Sequence, residues 1–271
     1  MRIINRKPTR TLGAFLLAVP FLLVLLAYTV ASDIRRADNP KDKLLPAPAQ
    51  IVATAETLLT EPDKRTGEIL FWKDTRLSLW RLTQGVAIAT AIALVTGLAI
   101  GLVPYARTTL SGFVNVLSMV PPLALLPILF ITFGLGEASK IALIAIGITP
   151  FLIRDLAQRV LDIPQEMIVK AQTLGASSFA IATQVALPQI LPRLIQAVRL
   201  SLGPAWLFLI ASEAIASDTG LGYRIFLVRR YLAMDVILFY VAWITLLAFV
   251  IDLLLKMLSE KLFPWAGSDG L

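Results

Sequence analysis

The sequence predicts an all-α protein that crosses a membrane six times. Three observations carry the prediction. Of the 271 residues, 57% are apolar and 16% are charged, against about 45–50% and about 25% in a soluble domain. The apolar residues gather in runs of about 20, the length that one spanning helix needs. There is no His and no Cys, which excludes disulfides, thiolate or imidazole metal ligands, and Ser-His or Cys-His nucleophiles. The net charge of +7 would suggest nucleic acid as a partner in a soluble protein. Here the basic residues are scattered over loops on both faces, which fits membrane lipid and not nucleic acid.

The elements follow in order. A basic start (Arg2, Arg6, Lys7, Arg10) precedes the apolar run Thr11–Ala31. Thr29-Val30-Ala31 has the small residues of a signal cleavage site, but a signal core is only about 7–15 residues long. The run therefore reads as a retained first helix, and 1–33 as a cytoplasmic start plus the first span. Residues 34–83 form a polar outer segment. Within it Leu44-Leu45-Pro46-Ala47-Pro48 is extended, because proline disfavours the helical region for the residue before it. Ile51–Leu59 and Phe71–Leu82 read as two short amphipathic helices; Trp72 and Trp80 of the second suit a membrane interface. A core of five further spans fills 84–258: Gln84–Val103, Leu110–Phe133, Ile141–Ile153 (about Ala138–Ala157 when extended), Leu194–Ala216 and Val236–Leu255. Residues 259–271 form a tail. Six spans put both ends on one side. The basic start argues that this side is the cytoplasm, while the Lys and Arg counts of the two faces are nearly even and decide nothing.

Two spans carry helix breakers: Pro121, Pro122 and Pro127 in the third, Gly203-Pro204 in the fifth. A proline inside a helix frees the carbonyl four residues earlier, and in lipid such groups must face protein or a wet cavity. These helices are thus expected to bend and to line a path, with Ser118, Met119, Pro121, Pro122, Trp206, Ser212 and Glu213 as its candidate residues; each of them equally suits bundle packing. Gly97-Leu98-Ala99-Ile100-Gly101 permits close helix contact. Arg199, Glu213 and Asp252 are the ionisable residues expected within spans, and such residues are functional candidates by default. For Glu213 the alternative is a structural hydrogen bond to a neighbouring helix or loop. No basic residue is expected at the middle of a span.

Between spans four and five lies the loop 154–193. Asp162-Ile163-Pro164-Gln165-Glu166 has the cap, the early proline and the first-turn acid of a helix start. That helix should run to Leu174 and end at Gly175. Ser177 or Ser178 should cap a second short helix, Phe179–Val185, which Leu187-Pro188 should break. Ile168, Ala171 and Leu174 fall on one side and Phe179 protrudes nearby, as in an element that docks another protein.

This loop resembles the cytoplasmic motif of permease subunits of ATP-binding cassette importers: Glu-Ala-Ala, three residues, Gly, nine residues, Ile, any residue, Leu-Pro. The spacing is kept at Ala171, Gly175, Val185, Leu187 and Pro188, while Val169 and Lys170 depart at the first two positions. The likeness extends over about 40–265. Leu44-Leu45-Pro46-Ala47-Pro48, Ser78-Leu79-Trp80-Arg81, Pro121-Pro122-Leu123-Ala124, Pro127, Phe133-Gly134, Glu213, Gly220-Leu221-Gly222-Tyr223 and Pro264-Trp265 look like the nitrate, sulfonate, taurine and bicarbonate permease group.

The resemblance implies a type I importer permease bundle in the bacterial inner membrane. It implies a coupling helix at about Glu166–Ala180, docked on ATPase subunits through Glu166, Lys170, Ala171, Leu174, Gly175, Ala176, Ser177, Phe179, Leu187 and Pro188. It also implies a second permease copy and a periplasmic or lipid-anchored solute-binding protein. No GxxxxGK[ST] occurs in the sequence, so ATP and Mg belong to the partner ATPase, and the chain is expected to bind no cofactor and to catalyse no reaction. The implied solute is small and polar, such as nitrate, a sulfonate, taurine or bicarbonate. A cationic or neutral nitrogen compound such as guanidinium or urea is the alternative, since Glu213 would attract a cation. A stand-alone secondary transporter is the alternative class; it would show inverted repeats and intramembrane ion ligands.

Overall fold

A computed structural model describes residues 9–39, 42–64 and 66–266. The basic residues Arg2, Arg6 and Lys7 and the last five positions of the tail lie outside the described residues. Every regular element among the described residues is a helix. Five helices are long and apolar enough to cross a membrane, and six if one sharply bent pair counts as a single span, in agreement with the all-α, six-span reading.

Helix α1 (Arg10–Asp38) starts behind Thr9, whose hydroxyl accepts from the Leu12 N–H. Its apolar side chains are largely exposed, as suits a helix that faces lipid. Its far end is tied to the extended Leu44–Ala47 stretch: Tyr28 donates to the Pro46 carbonyl (2.7 Å) and Ser32 to that of Leu45 (3.0 Å). Helix α2 (Pro48–Thr60) begins three residues before the expected Ile51, because Pro48 is pre-set for a first helical turn and the Gln50 side chain accepts from the Ala47 N–H. Thr54 fastens α2 to the start of α11 (Met234–Leu262) by donating to Asp235 (2.6 Å).

Helix α3 runs unbroken from Leu70 to Leu102, so the expected amphipathic Phe71–Leu82 and the span Gln84–Val103 are one helix. No proline separates them, and Thr83 returns its hydroxyl to the Leu79 carbonyl within the helix (2.8 Å). Phe71 is buried among Phe239, Tyr240 and Trp243 of α11. Along its length α3 presents Gly85, Ala89, Ala93, Gly97 and Gly101, a small buried residue every fourth position. This stripe meets α6 (Glu137–Leu161) with Gly85 against Ile144, Gly97 against Leu156 and Gly101 against Val160. The constant offset means that the two helices run parallel and in register. Small residues let their backbones approach closely: a Cβ at Gly97 would lie 2.9 Å from that of Leu156. The Gly97–Gly101 pair is therefore consumed inside the chain. Arg107 of α4 (Pro104–Leu117) closes the end of α3 by donating to the carbonyls of Ile100 (3.1 Å) and Gly101 (2.6 Å).

The expected third span, Leu110–Phe133, begins earlier and is broken. Helix α4 stops at Leu117, a 3₁₀ turn covers Pro122–Leu125, and α5 (Leu126–Phe133) leaves at 83° to α4. Two consecutive prolines supply no N–H for the preceding turn, and the second holds Pro121 out of the helical region (φ −67°, ψ 116°), so the helix ends instead of kinking. By contrast, α9 (Leu187–Ala216) passes through Gly203-Pro204 without interruption, so the fifth span carries no break there. Two of the ionisable residues within spans pair with each other: Arg199 of α9 clasps Asp252 of α11 with two bonds (2.7 and 2.8 Å).

A side chain inserted into the α3–α6 seam must push two helices apart. Gly101→Val is expected to cost about 1–3 kcal/mol of stability. Gly112→Val, at a position with open space around the new Cβ, should stay within about 0.5 kcal/mol. Thermal unfolding of the detergent-solubilised chain, followed by circular dichroism, separates the two.

Candidate functional site

The loop between α6 and α9 builds a rigid knob. Helix α7 covers Gln165–Thr173 and ends as the sequence predicts. Gly175 takes φ +79°, its N–H donates to the Gln172 carbonyl (2.9 Å), and the Ala176 N–H donates to that of Ala171 (3.0 Å). This pair of bonds is a Schellman turn, which requires the left-handed conformation that glycine adopts freely. Ser177 then caps α8 (Ser178–Ala180) by accepting from the Ala180 N–H (3.2 Å). The chain does not break at Leu187-Pro188 as expected. Residues Ile181–Ala186 form a π-helical stretch that leads directly into α9, with Pro188 in its first turn. Gln189 donates to the Val185 carbonyl (3.0 Å) beside the proline. Ser178–Ala216 is thus one continuous span of 39 residues.

Leu174 and Phe179 stand at the tip, 87% and 79% exposed. Glu166, Lys170, Gly175 and Ser177 are exposed around them, whereas Ala171, Ala176, Leu187 and Pro188 are half-buried at the base. Ile168 packs against the core, so the outward apolar surface is Met167, Val169, Leu174 and Phe179, and not the Ile168–Ala171–Leu174 face read from the sequence.

A second candidate region lies at the break between α4 and α5. A cavity of about 230 Å³ opens there, lined by Ser118 and Pro122 from the break, by Gly147, Pro150 and Arg154 from α6, and by Phe208 from α9. Of the seven expected path residues, Ser118 and Pro122 line this cavity; Met119 and Pro121 are exposed at the break beside it. Trp206 and Ser212 are buried in the bundle. The Ser212 hydroxyl turns back to the Leu209 carbonyl (2.7 Å), and the Trp206 indole N–H finds no partner among the described residues. Arg154 is a residue that the sequence reading left in the loop. It sits about two turns before the end of α6 and donates to the Ser118 hydroxyl (3.0 Å). The signal for it was the extension of this span to Ala157, which already enclosed Arg154.

Glu213 lies elsewhere, fully buried at the opposite end of the bundle. Its Oε1 accepts from Ser78 (2.7 Å) and from Nη1 of Arg81 (2.7 Å), and its Oε2 accepts from the Gly222 N–H (2.8 Å). Arg81 is equally buried. It reaches Glu137 at the start of α6 with Nε and Nη2 (2.5 and 2.7 Å), and the carbonyl and hydroxyl of Thr219 (both 3.0 Å). Asp74 completes the cluster, accepting from the Gly220 N–H (2.8 Å) and from Arg224 (2.6 Å), while Ser78 accepts from the Leu221 N–H (2.9 Å). The free N–H groups at the start of α10 (Leu221–Arg229) are thus met by oxygens from α3 and α9, where the helix dipole favours negative charge. Gly220 takes φ +114°, and a Cβ there would strike the Glu213 carboxylate. The Gly220-Leu221-Gly222 motif is explained by this packing. Glu213 thus makes the hydrogen bonds to a neighbouring helix and loop that the sequence offers as the structural alternative, and its carboxylate is paired with Arg81.

Residues 89–264 match the family model of binding-protein-dependent transport system inner membrane components. The taurine transport system permease protein TauC of Escherichia coli (strain K12) is 36% identical over 224 residues, covering 82% of this chain and 80% of that protein. The putative aliphatic sulfonates transport permease protein SsuC of the same organism is 30% identical over 223 residues, covering 82% of each. Among solved structures, the MetNI methionine ABC transporter in an inward-facing conformation shares the fold: TM-score 0.63 at 22% identity, over 71% of this chain and 95% of that one.

Removing the cation from the buried cluster strands Glu213. Arg81→Met is expected to cost about 3–5 kcal/mol of stability. The double variant Arg81→Met/Glu213→Met should lose clearly less than the two single losses combined, because no unpaired charge then remains. Unfolding midpoints of the three variants in one detergent give the coupling directly.

Proposed function

This chain belongs to the family of binding-protein-dependent transport system inner membrane components, and on that premise we propose that it is the membrane path of an ATP-driven importer for small solutes such as taurine, an alkanesulfonate or bicarbonate. The knob at 165–180 docks in a groove of a separate ATPase subunit, which binds ATP and Mg and performs the hydrolysis; the chain itself makes and breaks no covalent bond. Two copies of the chain enclose the path, and a binding protein delivers the solute at the end that carries the Arg81 cluster. Both termini and the knob then lie on the cytoplasmic side of the inner membrane.

The observation that carries this reading is the pairing of a rigid apolar tip with a continuous helix behind it. Leu174 and Phe179 expose large apolar side chains on a segment held by the Gly175 turn and the Ser177 cap. A protruding apolar pair on a rigid frame is what an interface anchor requires. Because α8, the π-helical stretch and α9 form one span from Ser178 to Ala216, a displacement of the tip is transmitted along the helix that walls the cavity through Phe208. ATP-dependent closure of the ATPases then shifts the balance between inward- and outward-open bundles through differential contact at the tip. An anionic or zwitterionic solute is favoured over guanidinium, since the carboxylate that would have drawn a cation is neutralised by Arg81.

The test is assembly. The tagged chain, co-expressed with an ATP-binding cassette ATPase subunit from the same genome and purified in mild detergent, should retain that subunit in equal amount. Phe179→Ala should weaken that association about 30-fold, as truncation of an interface anchor does, while the unfolding midpoint stays unchanged because the side chain touches solvent. Undiminished recovery with both Leu174→Ala and Phe179→Ala would refute the docking role.

A further inference from the structure

The cavity at the α4–α5 break holds a cation without a counter-charge. Four other basic residues of α3, α6 and α9 are matched by acids: Arg81 by Glu137 and Glu213, Lys140 by Glu137, Arg159 by Asp155, and Arg199 by Asp252. Among the described residues, Arg154 has one polar side-chain partner, the neutral Ser118 hydroxyl. A guanidinium presents five N–H donors in a planar fork suited to two oxygens of one anion, and a single hydroxyl uses one of them. Ser118 and Arg154 are also the two polar side chains on the cavity wall; the rest is apolar, including Leu117, Val120, Phe151 and Phe208. Arg154 is exposed, so a solute can reach it from open space, and the apolar wall beside it reduces the screening of its charge on that side.

Size narrows the occupant. The cavity's 230 Å³ falls below the roughly 300–1,000 Å³ of pockets for drug-sized ligands, yet it exceeds several times the roughly 30 Å³ share of one water. It therefore suits a solute of a few heavy atoms.

We propose that Arg154 and Ser118 form an oxyanion-binding station on the transport path. Arg154 takes two oxygens of a sulfonate, carboxylate or carbonate group, Ser118 donates to the same group by exchanging its present acceptor, the Asn115 carbonyl (2.7 Å), for a ligand oxygen, and the apolar wall covers the remainder of the solute. The helix break is what admits the solute: with α4 ended at Leu117, the Ser118 hydroxyl and the side of α6 face open space instead of a continued helix. Small cations are repelled at this station. The inference rests on the importer reading and deepens it, by naming the sign of the solute and the residues that read it.

The cysteine-free chain allows a test that needs no transport. Ser118→Cys places the chain's single thiol at the station, in the full complex in membrane vesicles. Two thiol reagents of similar size are compared: anionic sulfonatoethyl methanethiosulfonate and cationic trimethylammonioethyl methanethiosulfonate. Relative to a free thiol in solution, the rate ratio should favour the anionic reagent about tenfold, the scale of one partly screened charge a few ångströms away. Arg154→Gln should abolish that preference, and Arg154→Lys should keep its direction. Millimolar methanesulfonate should slow both reagents, and its neutral analogue dimethyl sulfone should not. A ratio equal to that of the free thiol and unmoved by Arg154→Gln would overturn the proposal. So would absence of labelling in both the nucleotide-free and the ATP-trapped complex. Failure of the ATPase to co-purify would instead remove the importer reading, and the charge preference at Ser118→Cys would stand on its own.

Discussion

One buried guanidinium sets the frame of this protein. Arg81 is taken wholly out of water, which costs several kcal/mol unless nearby oxygens replace the lost hydration. The replacement comes from three directions at once: Glu137 at the start of α6, Glu213 near the end of α9, and Thr219 in the turn before α10. The condition that all of them reach one side chain fixes the level at which α3, α6 and α9 stand relative to one another. The parallel α3–α6 seam, with a small residue every fourth position, continues that alignment along the bundle. The charges of the cluster also balance, with Arg81, Arg224 and Lys140 against Asp74, Glu137 and Glu213.

The two ends of the bundle consequently differ in kind. At the Arg81 end, backbone donors of α10 and side chains of four helices are mutually satisfied, and any relative movement leaves a buried charge or N–H unmatched. At the other end the α4–α5 span is broken, a cavity opens beside Arg154, and the knob stands out on its own Schellman turn. In the proposed importer this asymmetry has a use: the clamped end holds the helices in register, and the loosely filled end accommodates motion delivered through α9.

Much of this was readable from the chain, and the limits of the reading are physical. Helix ends governed by local chemistry were legible: the stop at Gly175 and the cap at Ser177 depend only on residues a few positions away. The six apolar runs were legible for the same reason. Other features were not. The joining of Phe71–Leu82 to the second span escaped because a change in hydropathy was read as a change in structure, although no breaker lies between the two. The pairing of Glu213 is not legible because its partner Arg81 lies 132 positions away, and a lone acid in a span looks unpaired in sequence. Arg154 falls outside the apolar run Ile141–Ile153 because such runs are cut at the first charge, although α6 continues to Leu161. The prolines at 121 and 122 announced a disturbance but not its degree, since whether a helix kinks or ends depends on what its neighbours can pack into the gap.

The most direct test of the account is solute entry into proteoliposomes. The chain is reconstituted with its ATPase and binding protein, and labelled taurine and labelled methanesulfonate are supplied on the binding-protein side. Accumulation against a gradient that requires hydrolysable ATP and all three components is the expected result. Accumulation by the chain alone, driven by a proton or sodium gradient and indifferent to ATP, would contradict it and establish a secondary transporter.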